Sequence, residues 1–131
     1  MTPTKRLLVL LLIAVSAVAT CGPAVSPGPT GTLTLVMLQG PVCPVEQDPP
    51  DPACAPRPVV GQVVAILDGS REVARSTSDA AGRIRFSLPH GRYTVHPVPP
   101  DTGFPTPPTD QVVDLGAQAV ELSLDYDTGI R

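Results

Sequence analysis

The side chains able to do chemistry are few: three cysteines (Cys21, Cys43, Cys54), two histidines (His90, His96) and twelve carboxylates against nine basic groups. Cys43, Cys54, His90 and His96 together could offer thiolate and imidazole ligands to zinc. However, ten residues separate the two cysteines where a zinc-binding knuckle needs two to four. No metal is expected. Glu46, Asp48 and Asp51 could gather oxygen ligands for calcium, but they have neither EF-hand spacing nor a glycine pivot. With Pro49 and Pro50 among them, they read as a stiffened, solvated acidic loop.

Asp127-Thr128-Gly129 has the letters of the aspartic-protease triplet. That chemistry needs two carboxylates sharing a proton in a buried cleft. Here the triplet follows the last apolar alternation of the sequence and reads as a strand end. His90 and His96, beside Arg92, fall on the solvent phase of their segment, and no Ser/His/Asp or Cys/His arrangement accompanies them. No catalytic residue and no cofactor is expected. Phe104, in "PPDTGFPTPP", is the one aromatic outside a strand, a candidate to cap an open end of the domain or to contact a partner. With two Phe, two Tyr and no Trp, the stacking platforms common in glycan- and base-binding sites are absent.

Lys5-Arg6 precedes thirteen apolar or small residues, Leu7 to Ala19. A spanning helix needs about 20 apolar residues and an export signal about 7–15, so residues 1–20 read as a cleaved signal. Val18-Ala19-Thr20-Cys21 resembles a bacterial lipoprotein lipobox, with Val18 where Leu is common and Thr20 where Gly or Ala is common. The resemblance implies a lipid on Cys21 and a membrane partner reached through that acyl (palmitate-type) anchor. The alternative is Ala17-Val18-Ala19, an A-x-A site for ordinary secretion. Parity favours the anchor, because ordinary secretion would leave one thiol of three unpaired in an oxidising compartment. With Cys21 acylated, Cys43 and Cys54 remain as a pair, and a disulfide between them is expected.

Cleavage before Cys21 leaves seven arginines against twelve carboxylates, a net charge of −5. A chain this acidic, without a basic cluster, is not expected to bind nucleic acid. Residues 21–31 ("CGPAVSPGPTG") are rich in Pro and Gly and read as a flexible tether, leaving residues 32–131 as one domain.

The elements that must position these residues are short strands. Apolar–polar alternation places them at Thr32 to Gln39, Val59 to Leu67, Glu72 to Ser76, Arg83 to Leu88, Arg92 to His96, Gln111 to Leu115 and Gln118 to Tyr126. Ile84, Phe86 and Leu88, then Tyr93 and Val95 on the strand expected beside them, then Val120, Leu122, Leu124 and Tyr126 take the inward phase. Asp68-Gly69 signals a hairpin, and no long helix is expected. Seven strands in about 95 residues predict two packed antiparallel sheets.

Pro58 to Val95 ("PVVGQVVAILDGSREVARSTSDAAGRIRFSLPHGRYTV") resembles a carboxypeptidase regulatory-like domain. The matching features are Val-x-Ile before Asp-Gly, Ser78-Asp79 with Gly82, Ile-x-Phe-x-Leu, and Pro-x-Gly-x-Tyr-x-Val. The resemblance implies an all-β, prealbumin-like sandwich, the fold shared with transthyretin and collagen-adhesin B-type repeats. It implies an accessory module; together with the anchor at Cys21 this reads as a non-catalytic interaction or structural module of the cell envelope, its protein or glycan partner unidentified. Two other readings are a small-ligand-binding surface domain and a transthyretin-like hydrolase. The histidine–arginine cluster and Tyr-Arg-Gly-Ser ending of such hydrolases are missing here, as is the lysine an isopeptide crosslink would need beyond residue 20.

Overall fold

In β1 (Thr30–Gly40) Leu33, Leu35 and Met37 are fully buried, while Thr32, Thr34 and Val36 on the opposite phase are only half-buried. A strand sends successive side chains to opposite faces, so an alternating sequence buries one face only. The same rule buries Ile84, Phe86 and Leu88 in β5 (Arg83–Pro89), Tyr93 and Val95 in β6 (Gly91–Pro97), and Leu124 and Tyr126 in β8 (Val120–Asp127). The structure, a computed structural model, describes residue 22 and residues 28–131. The signal segment and Cys21 lie outside the described residues.

Two sheets face one another, giving the expected all-β sandwich. The second sheet is ordered β4 (Arg71–Thr77), β3 (Val63–Asp68), β6, β7 (Gln111–Leu115), antiparallel throughout. β3 is central, and Val64, Ala65 and Ile66 are buried on both of its phases. In the first sheet β8 runs along one side of β1, and β5 and the two-residue β2 (Arg57–Pro58) share its other side end to end.

Four expectations are corrected. The first and last strands, β1 and β8, pair in parallel, so the first sheet is mixed. β2 is an eighth strand, too short to show any alternation. Residues 59–62 leave the ladder, so β3 starts four residues later than Val59. Phe86 and Tyr93 sit in opposite sheets, because the chain crosses from β5 to β6 at His90.

A buried polar latch explains where residues 59–62 go. The Ser78 hydroxyl donates to the Val59 carbonyl at 2.6 Å and accepts from the Gln62 amide at 2.9 Å. The Gln62 side chain donates to the carbonyls of Val98 and Val63. A buried polar group must be paired to be tolerated, and here every bond ties a loop down. Beside the latch, Asp79 accepts at one carboxylate oxygen from the amides of Ala81 and Arg83, each at 2.9 Å, and turns the chain into β5.

The registers separate two ends. β1 enters at Thr30, where the Pro29 carbonyl accepts from the His90 amide. The Gly69-Ser70 turn and residues 116–119 lie at that end. The disulfide loop after Gly40, the latch, residues 98–110 and the end of β8 lie at the other, because Gly40 pairs with Asp127 and Val64 with Pro97. At about 3.3 Å per residue, the eleven residues of β1 hold the two ends roughly 35 Å apart.

Candidate functional site

The end far from Thr30 gathers most of the features the sequence singles out. Cys43 and Cys54 form a disulfide with their Cα atoms 5.3 Å apart, inside the range that bridging allows. Within the loop it closes, Asp51 caps a single 3-10 turn, Pro52–Cys54, by accepting from the Ala53 amide at 2.8 Å. Glu46, Asp48 and Asp51 are exposed, and Val45 is 68% exposed. Among the described residues no group of three or more His, Cys, Asp or Glu side chains converges to hold a metal ion.

Phe104 is 60% exposed, and its ring lies over Gly129, where an added Cβ would stand 2.9 Å from the ring edge. Two backbone hydrogen bonds between Thr106 and Asp127 hold the same loop against the end of β8. Phe104 thus rests one side of its ring on its own chain and turns the other outward. No sequence signal marks Gly129 as its seat.

The Asp127-Thr128-Gly129 triplet stands at the end of β8, as the strand-end reading expects, and is built as a clamp. Arg131 grips the Asp127 carboxylate with two nitrogens, at 2.8 and 3.2 Å, and the Gly129 amide donates to it at 2.8 Å. The Arg131 contact first, and the Gly129 amide second, hold the Asp127 carboxyl down at about 2. A carboxylate so stabilised is the opposite of a proton-sharing dyad. Thr128 fastens the clamp to β1, its amide donating to the Gly40 carbonyl and its hydroxyl to that of Pro41.

The structure separates the two histidines. They stand at opposite ends of β6, on the order of 20 Å apart at strand rise, so no histidine cluster forms. His96 Nδ1 meets Asp110 Oδ1 at 2.7 Å, Arg92 pairs with Asp114 at 2.8 Å, and all four side chains are substantially exposed. The contact with Asp114 raises the Arg92 pKa and lowers that of Asp114.

Charge divides the molecule in a way composition does not show. The far-end segments (residues 41–62, 78–82, 98–110 and 127–131) hold seven carboxylates against two arginines, a net of −5. The remaining described residues hold five of each. The entire net charge of the described residues therefore sits at one end, together with three of their four large exposed hydrophobic side chains, Val45, Val60 and Phe104.

No protein-family model matches this sequence, and no curated protein matches it. Solved structures do share its fold. The shaft pilin spaA from Lactobacillus rhamnosus GG matches at TM-score 0.57 and 16% identity, over 76% of this chain and 52% of that one. GBS52, the minor pilin of the gram-positive pathogen Streptococcus agalactiae, matches at 0.54 and 17%, over 76% and 44%. A Streptococcal ancillary pilin matches at 0.51 and 18%, over 76% and 32%. The matched part is thus about half or less of each of these structures. At such identities the likeness is one of fold, consistent with the expected prealbumin-like sandwich.

Proposed function

We propose that this chain is a non-catalytic structural or interaction module of the bacterial cell envelope. In this reading an acyl chain on Cys21 holds it to the membrane, and the sandwich carries its acidic, disulfide-closed end outward to a protein or glycan partner. One observation carries the reading: β1 begins at Thr30, and the exposed apolar and acidic loops lie at the opposite end, roughly 35 Å away. Residues 21–29 add at most about 30 Å of reach. The ion pairs of Arg92 with Asp114 and of Asp127 with Arg131 support a structural role for those residues. The sandwich shared with shaft, minor and ancillary pilins supports a surface-structural role. Among the described residues no helix is long and apolar enough to cross a membrane, so attachment falls to the residues before them.

The test is metabolic labelling with a fatty-acid analogue in a bacterial host. The exported wild-type chain should take up label and fractionate with membrane, and Cys21→Ser should do neither. A wild-type chain that takes up no label and begins at Thr20 would establish the A-x-A alternative and overturn the anchor.

A further inference from the structure

Proteins blunt the free edges of their sheets with bulges, short strands or charges, because an unpaired edge recruits another strand. The second sheet does so. β4 bulges at Val73, which has no partner between the Ile66–Ala74 and Leu67–Glu72 pairs, and β7 has only five residues. The first sheet has charges alone. β8 has eight residues without proline, bulge or lysine, and β5 is regular as far as Pro89.

The backbone groups left open on these edges can be named. Asp127 turns its amide and carbonyl away from β1, to Thr106. By the alternation of a strand, Asp125, Ser123 and Glu121 turn theirs the same way, and among the described residues nothing pairs with them. Gly82 gives its carbonyl to β1 at Met37, so Arg83, Arg85 and Ser87 face outward. Asp79 occupies Arg83, which leaves Arg85 and Ser87 open.

The two edges are opposite in charge. On the sheet's outer face β8 presents Glu121, Ser123 and Asp125, and β5 presents Arg83, Arg85 and Ser87. Arg83 and Glu121 already approach to 3.6 Å across β1. Arg85 and Asp125 make no ion pair among the described residues. On the inner face, Val120 and Leu122 are only partly buried at the β8 edge.

We infer that a second copy of this chain occupies the β8 edge with its β5, in a contact that repeats from copy to copy. Ser123 lies opposite Arg85 and Glu121 opposite Ser87, so four backbone hydrogen bonds form and Arg85 falls between Glu121 and Asp125. Leu122 then lies opposite Phe86 on the inner face. β8 runs parallel to β1 and β5 antiparallel to it, so antiparallel pairing between copies keeps every copy pointing the same way. Different patches meet, which makes the contact heterologous: it builds a row rather than a closed dimer. In that row all the tether ends lie on one side and all the acidic ends on the other. The inference concerns the sandwich alone and stands whether or not Cys21 is acylated.

So few paired residues make a small, weak contact, so it is best trapped. Glu121→Cys with Ser87→Cys places two thiols across the proposed pair, and Asp125 remains to hold Arg85. The full chain is expressed, exported and oxidised, and non-reducing gels should show a ladder of dimers, trimers and larger species. Two singly substituted chains made together should stop at dimers. Adding Arg85→Glu should cut the ladder roughly tenfold, the size of the Arg85–Asp125 attraction lost together with the like-charge repulsion gained, and adding Asp125→Arg to that should restore it. Unsubstituted chain in excess mild detergent should sediment as an open series growing with concentration, and Arg85→Glu should shorten it. That second measurement does not depend on the cysteine variants folding. Four results would each overturn the inference: a ladder no stronger than that of Val112→Cys with Ser87→Cys, crosslinks that stop at dimers in the doubly substituted chain, indifference to Arg85→Glu, or crosslinks mainly to another protein.

Discussion

Gly82 occupies the point where β1 changes partners, with β5 on one side of it and β2 on the other, and replacing it with alanine tests the fold most sharply. Two costs combine. Its φ of 69° lies in the left-handed region, where an L side chain costs about 1–2 kcal/mol. The added Cβ would also fall inside contact distance of the Met37 carbonyl oxygen, and 3.1 Å from both Pro58 Cβ and Val59 N. These neighbours are backbone or are held by it. The Gly82–Met37 and Met37–Val59 hydrogen bonds, at 2.8 and 3.0 Å, must therefore lengthen to make room. Each contributes about 0.5–1.5 kcal/mol, so the expected loss for Gly82→Ala is about 2–5 kcal/mol. Gly69→Ala is the matched control: its φ is 61°, but nothing lies within 4 Å of the added atom, so only the conformational cost of about 1–2 kcal/mol applies. Both changes restrict the unfolded chain equally, and that effect cancels in the comparison. Urea unfolding of the exported chain, followed by circular dichroism, gives both values. If Gly82→Ala costs no more than Gly69→Ala, the close packing at the β2–β1–β5 junction is wrong.

Cys43→Ser or Cys54→Ser should each destabilise by about 2.5–3 kcal/mol for a loop this short, with the double variant losing little more, as thermal melts will show. Phe86→Ala should cost about 3–5 kcal/mol, a large share of a typical domain's 5–15. Arg92→Ala, His90→Ala and His96→Ala should each change stability by less than about 0.5 kcal/mol and leave any cellular phenotype intact. A folded histidine variant that loses a phenotype would refute the non-catalytic reading. Asp127 has a depressed pKa in the folded chain, so its contribution is present above its ordinary value of 3.8 and disappears as pH falls through about 2. The unfolding midpoint of Asp127→Asn should accordingly fall less steeply than wild type across that window. Burial pushes the Tyr126 hydroxyl up to about 12, so absorbance titration should find one tyrosine ionising well above the ordinary 10 as long as the fold persists.

What the sequence reveals, and what it hides, follows from the range of each interaction. Burial of Phe86, Tyr93 and Leu124 is legible because a strand's period of two is local, and the Asp68-Gly69 turn is legible because a glycine at positive φ is local too. The Cys43–Cys54 bridge is legible through counting, given Cys21's separate assignment. Pairing partners are not local. Nothing within β1 says that its neighbour is the last strand, running parallel, and nothing in Pro89-His90-Gly91 tells a hairpin from a crossing between sheets. The latch at Ser78 pulls Val59–Gln62 out of a ladder their apolar character would suit, because pairing Gln62 inside outweighs strand propensity. The triplet at Asp127 misleads by letter, since its meaning depends on Arg131. The concentration of charge at one end needs the topology before it can be seen.

β1 leads straight from Thr30 to the disulfide loop, and this governs how the molecule carries load. A strand is already near full extension: its rise of about 3.3 Å per residue compares with a limit of about 3.3–3.6 Å. If the membrane pulls at Thr30 while a partner holds the loop closed by Cys43 and Cys54, the tension runs through eleven residues of backbone that can lengthen by only about 3 Å in total. The disulfide closes off the loop's slack. The core and the remaining seven strands stay outside the line of force, so the domain can transmit a pull without being asked to unfold.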